Sequence, residues 1–225
     1  MESDLRQKNL FHNIKQLVDS EVVNNPVSYN KSIPYQTYER IGFIGRRWSI
    51  EKQISEYGLN QFFNPESNVL DIGSNFGFFT VEFALHCKLS HGIEPNPYLN
   101  RIGEITAEYL NVKDKVNFFD CRFEQFESSI KYDLALSLAA FFTQDGCERS
   151  KADDYFKKIN SLLTSEGSLF YESTSYTKTV ADQHYIASQQ AIEAITHFFT
   201  SVKVWETPSG SPGCFRKFAI GREKR

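Results

Sequence analysis

The sequence predicts an α/β fold with a mostly parallel sheet, an N-terminal helical extension and a closing antiparallel hairpin. From residue 68 onward, short strand-like runs alternate with helical runs, the pattern of a parallel sheet with right-handed crossovers. The run Val69-Leu70-Asp71-Ile72 passes directly into Gly73-Ser74-Asn75-Phe76-Gly77 and then an apolar stretch, a strand ending in a glycine turn that opens a helix. Near the end, only PSGSPG and its neighbours separate SVKVWE from CFRKFAIG. No helix fits there, so the last two runs should pair antiparallel.

Leu5, Leu10, Ile14, Leu17 and Val18 recur at roughly helical spacing, which predicts an N-terminal helix. NNPVSYNKSIP, polar and with two prolines, reads as a loop. Ser49 offers an N-cap for IEKQISEY and Gly58 a stop. Strands are expected at 69–72, 91–94, 116–119, 132–137, 168–172, 201–206 and 214–220, a seven-stranded sheet. Helices are expected near 77–87, 98–110, 151–163 and 182–198. Residues 1–45 are expected to form a helical extension or lid, and residues 46–225 the main domain.

The 225 residues suit one such domain with its extension. A net charge of −3 gives no global pull toward nucleic acid or anionic lipid. No apolar run is long enough to span a membrane, and the first twenty residues mix charges of both signs without a signal-peptide core. Cys87, Cys121, Cys147 and Cys214 lie apart with no CxxC pair. Zinc is therefore not expected, and reduced thiols in the cytoplasm are.

In an open α/β sheet, ligands bind beyond the carboxyl ends of the strands, and residues 73–77 sit at such an end. Gly73 and Gly77 allow a close backbone approach, and Asn75 tolerates a positive φ. The spacing is G-x-x-x-G, not the G-x-G-x-x-G of dinucleotide enzymes, and no Gly-Lys-Ser/Thr follows as in a P-loop. Glu94, in HGIEPNPY at the next strand end, can accept from both hydroxyls of an adenosine ribose. That feature suits nicotinamide dinucleotides and S-adenosylmethionine alike. Asp71 leans toward the second, because its carboxylate favours a cationic ligand and repels a pyrophosphate.

At these residues the chain resembles the class I S-adenosylmethionine-dependent methyltransferases. VLDIGSNFGFFTVEFA is similar to their first motif, GIEPNP to the second, VNFFDCRFEQF to the third, YDLALSLAAFF to the fourth and LLTSEGSLFYES to the fifth strand. The resemblance covers residues 45 to 221. It implies a Rossmann-like fold with a seven-stranded sheet and S-adenosylmethionine as cofactor. It also implies a cofactor site built from Asp71, Gly73, Ser74, Asn75, Gly77, Phe78 and Phe79, then Glu94, Pro95 and Asn96, then Arg122 and Phe123, and finally Ser137, Leu138 and Ala139. Asn75 replaces the middle glycine of the commoner motif. The G-x-N-x-G-F-F form resembles a subgroup that includes tRNA wobble-uridine modifying enzymes and small-molecule methyltransferases, and it admits a carboxylated cofactor.

Three residues at or beyond the end of the fifth strand are candidates to meet the acceptor: Glu172, Tyr176 and His184. Phe141, Phe142 and Thr143 stand where many relatives carry a histidine, with Asp145 and Glu148 following on a solvated loop. Arg46, Arg47 and Trp48 read equally as a pocket wall or as an exposed basic pair beside a packed indole. His91 reads as structural. The basic end, with Arg216, Lys217, Arg222, Lys224 and Arg225, reads as a solvated end or a contact for phosphate, and Arg216 and Lys217 alternate with strand residues. The resemblance implies methylation of a small-molecule acceptor, by expectation on an oxygen of a sugar or phosphate-type group in surface-polysaccharide synthesis. SLAAFF is not the loop that grips a planar amine. Methyl or carboxymethyl transfer to tRNA and a non-catalytic subunit are the alternatives.

Overall fold

The computed structural model describes residues 2–142 and 150–225, with side chains from residue 4 onward. Thr143, Asp145, Cys147 and Glu148 lie outside the described residues. In chain order the elements are α1 (Glu2–Asn24), α2 (Ile50–Tyr57), β1 (Asn68–Ile72), α3 (Phe78–Ala84), β2 (Leu89–Ile93), α4 (Pro97–Tyr109) and β3 (Val116–Phe119). Then come β4 (Tyr132–Leu138), α5 (Ala152–Leu162), β5 (Leu163–Glu172), β6 (Tyr176–Thr177), α6 (Gln183–Phe198), β7 (Phe199–Pro208) and β8 (Cys214–Lys224).

Local chemistry sets many of these boundaries. The Ser49 hydroxyl accepts from the Lys52 amide to start α2, and Gly58 ends it at φ 67°. Asn96 caps α4 through the Tyr98 amide with Pro97 in the first turn. Asp182 accepts from the His184 and Tyr185 amides to start α6.

The chain divides into two compact units, one built from residues up to Asn68 together with Ser74–Phe123, the other from Val69–Gly73 together with Glu124–Arg225. In the first unit β2 pairs parallel with β3, and α1 lies along α4. The loop expected at 25–34 has no regular structure but is tightly held. Buried Glu21 accepts from Asn25 Nδ2 at 2.8 Å, Ser28 Oγ at 2.5 Å and Asn30 Nδ2 at 3.0 Å.

In the second unit β4 pairs parallel with both β1 and β5. β8 runs antiparallel to β5, β6 and β7. The core centres on Leu134, Leu136, Phe156, Leu169, Phe170 and Phe218, all nearly inaccessible. Parallel strands and a C-terminal antiparallel pair match the expected fold class. The hairpin is longer than its sequence signal, because pairing from Phe199 to Pro208 carries both strands past their apolar runs. The described residues hold eight strands, not seven. β6 is two residues long, too short to leave a periodic pattern.

Candidate active site

In the first unit, the turn from Ser74 to Gly77 and the end of β2 are bonded together. The Ser74 amide donates to the Ile93 carbonyl at 3.0 Å. Asn75 adopts φ 53° and Gly77 φ 72°. A Cβ on Gly77 would lie 2.5 Å from Phe118 ring atoms, so glycine is required for space as well as for φ. Glu94 is half-buried and held by two backbone amides: Asn75 N donates to Oε2 at 3.3 Å and Asn96 N to Oε1 at 3.0 Å. Its carboxylate is thereby fixed in direction. Asn100 ties the neighbouring strand ends, donating to the Glu94 carbonyl at 2.7 Å and to Asp120 Oδ1 at 2.6 Å. Phe78 and Phe79 are core side chains, so only their backbone is available to a ligand. Pro95 and Arg122 are exposed, Asn96 is half-buried and Phe123 is buried.

In the second unit, Asp71 is 2% exposed within β1, and Gly73 ends that segment at φ 71°. A Cβ on Gly73 would approach Ala140 Cβ to 2.8 Å. Ala139 has φ 57°, uncommon for a residue with a side chain, and its amide donates to the Glu172 carbonyl at 2.8 Å. Leu138 and Ala139 are half-buried, whereas Ser137 points into the core with its hydroxyl 2.9 Å from the Tyr155 hydroxyl.

The three residues expected to meet an acceptor differ. Buried Glu172 is ion-paired with Arg216 Nη1 at 2.8 Å, so Arg216 is not part of a solvated tail. His184 is half-buried, with Nδ1 3.0 Å from Thr174 Oγ1 and its ring edge-on to Phe142 at 5.2 Å. Tyr176 is packed within the second unit. It is 1% exposed and its hydroxyl donates to Glu206 Oε2 at 2.5 Å. Burial first, and then that bond, push its pKa well above the ordinary value, leaving it a packing residue. Phe141 is likewise buried, against Tyr155 and Phe156.

A buried network in the first unit left no sequence signal. Glu82 of α3 receives Arg40 Nε and Nη2, both at 2.7 Å, and the Tyr38 hydroxyl at 2.7 Å. His86 Nε2 lies 3.3 Å away. Burial by itself would raise the Glu82 pKa, but these donors hold it below the usual value. His91 is buried beside Asn117 Nδ2 at 3.1 Å, and burial lowers its pKa. Trp48 is not packed: it is 55% exposed, with Lys52 Nζ 4.2 Å from its ring centre.

Among the described residues, no cluster of three or more His, Cys, Asp or Glu side chains could hold a metal. No described helix is long and apolar enough to cross a membrane.

No protein-family model matches the chain, and no curated protein matches it significantly. Solved structures do. The N-methyltransferase NodS from Bradyrhizobium japonicum WM9 superposes with TM-score 0.62 at 19% identity, over 77% of this chain and 94% of that one. Its complex with S-adenosyl-L-homocysteine gives 0.59 at 18%, over 76% and 84%. A candidate O-methyltransferase from Klebsiella pneumoniae gives 0.60 at 9%, over 98% and 90%. M. jannaschii TYW2 in complex with AdoMet gives 0.53 at 17%, over 80% and 78%. The chain therefore has the mixed α/β fold of these methyltransferases, with its parallel strands and C-terminal antiparallel pair.

Proposed function

We propose that this protein is a methyltransferase that uses S-adenosylmethionine and acts on a small-molecule acceptor. The observation that carries this reading is Glu94, whose carboxylate is aimed by the Asn75 and Asn96 amides beside a glycine turn. A carboxylate so held suits a pair of ribose hydroxyls. The residues assigned to the cofactor also fit it chemically. The Asp71 carboxylate would repel a pyrophosphate and favour a cationic ligand. Gly73, Ser74, Asn75 and Gly77 leave backbone accessible, and Phe78 and Phe79 contribute main-chain atoms only. Pro95 and Asn96 shape the loop after Glu94. Arg122 and Phe123 lie in the segment assigned to adenine. Ser137, Leu138 and Ala139 are assigned to the cofactor through their backbone.

S-adenosylmethionine supplies a methyl group already activated on a sulfonium. The protein's own task is mainly to orient the acceptor and exclude water. His184, steadied by Thr174, is the residue assigned to take a proton from a hydroxyl acceptor. Glu172, through its pairing with Arg216, positions the loop that carries Ala139. An already anionic oxygen would need no base, which fits a sugar-phosphate type of acceptor and O-methylation. Residues 1–45 are assigned to covering the acceptor.

Calorimetric titration with S-adenosylhomocysteine, with NADH alongside, tests the reading. Binding of the first and not the second is expected. The reverse would restore a dinucleotide enzyme, and binding of neither would point to a scaffold.

A second reading, transfer to tRNA, draws on one surface. Arg46 and Arg47 lie 5.3 and 5.4 Å from the Tyr35 ring centre, near exposed Trp48 in sequence. Steeply salt-dependent tRNA binding, lost in Arg46→Ala, would favour it.

A further inference from the structure

The first unit contains a cleft of about 500 Å³ between α1 and the loop that Glu21 fastens. That volume is within the range of small-molecule sites. Its apolar lining includes Val18 and Val22 from α1 and Phe43 from the segment beyond the loop. Its charged lining residues are Lys15, Lys31 and Asp19. Lys31 donates to the Pro26 carbonyl at 2.5 Å, which uses one of its three donors. Lys15 and Asp19, one turn apart on α1, form no ion pair with each other.

The cleft adjoins the glycine turn at two points. Phe43 packs edge-on against Phe76 and Phe78, at 6.2 and 5.8 Å between ring centres. Glu21 Oε1 accepts from Asn96 Nδ2 at 3.4 Å, and the Asn96 amide in turn holds Glu94. One aromatic side chain separates the cleft from the residue that precedes Gly77.

We infer that this cleft is the acceptor pocket, and that it takes an amphiphilic anion. The anion's carboxylate or phosphate would meet Lys15 and Lys31, and its apolar body would lie on Val18, Val22 and Phe43. Asp19 is suited to accept from a hydroxyl of the same molecule. An uncharged apolar ligand would offer neither lysine a counter-charge, and a small hydrated anion would leave the apolar wall uncovered. The inference rests on the methyltransferase reading for its word "acceptor", but the ligand chemistry follows from the cleft itself.

Calorimetry on the full chain, with and without S-adenosylhomocysteine, tests it with four probes: octyl phosphate, octanoate, octanol and inorganic phosphate. One equivalent of octyl phosphate or octanoate should bind at least tenfold more tightly than octanol or inorganic phosphate, and the stronger of the two identifies the anionic group. The double variant Lys15→Gln, Lys31→Gln should weaken that binding about tenfold or more while S-adenosylhomocysteine affinity is unchanged. Octanol binding as tightly as the anions, or an affinity within twofold of wild type in the double variant, would overturn the inference. Failure of the wild type to bind S-adenosylhomocysteine would instead overturn the methyltransferase reading, and the lysine dependence would still decide the ligand chemistry of the cleft.

Discussion

Two strand-end turns solve the same backbone problem differently. The turn after β1 reaches positive φ with Gly73, Asn75 and Gly77, whereas the turn after β4 does so with Ala139. Glycine appears in the first where a Cβ has no room: 2.5 Å from Phe118 at Gly77 and 2.8 Å from Ala140 at Gly73. At Ala139 the left-handed conformation costs about 1–2 kcal/mol, and the bond from its amide to the Glu172 carbonyl helps to hold it. The first turn is shaped by packing, and the second is strained at a place where the backbone is assigned to a ligand. Backbone strain retained at such a position is characteristic of functional loops.

The largest expected effect tests the packed turn. Gly77→Ala combines a positive φ with collision against Phe118, so a loss of about 3–5 kcal/mol is expected in urea unfolding. A loss under about 1 kcal/mol would mean that Phe118 moves aside and that the two turns are alike. Glu94→Ala should next reduce S-adenosylhomocysteine affinity by about 1.5–3 kcal/mol, with a smaller effect on folding. Unchanged affinity would remove the ribose assignment.

Arg40→Met strips a donor from Glu82 in the helix that follows the glycine turn. About 2 kcal/mol of stability should be lost, a breaking-of-a-buried-pair cost reduced because Arg40 is partly exposed. The pH dependence has a defined sign. The folded Glu82 pKa is depressed, so its stabilisation is present above the unfolded value of about 4.3 and fades as pH falls through the lower folded value. Arg40→Met should therefore cost less as pH drops below about 4, and a constant difference across that window would contradict the network. Smallest is Ala139→Gly, expected to stabilise by about 0.5–1 kcal/mol, the relieved strain less the added chain entropy. Destabilisation would show that Ala139 is not strained, and the contrast between the turns would disappear.

Much of this was legible beforehand because it is local. The helix start at Ser49, the stop at Gly58 and the positive φ of Asn75 follow from side chains acting within four residues of themselves. The alternation of strands and helices follows from burial periodicity in the same way. Tyr176 sits just after β5, where acceptor loops are expected, and nothing nearby reveals that its hydroxyl donates to Glu206. The pairing of Arg216 is hidden for the same reason, its partner Glu172 being far away in sequence.

The sequence by itself determined the fold class, the order of elements and the type of turn before α3, since those depend on short-range sterics and on which positions are apolar. Tertiary structure alone decided that Glu21 fastens the 25–34 loop, that Arg40 reaches Glu82, that Ala139 is held at positive φ and that Lys15 and Lys31 line one cleft. The physical reason is that a buried carboxylate must find donors and an apolar wall must find cover. Periodicity records that a residue is buried, but not which distant group lies against it.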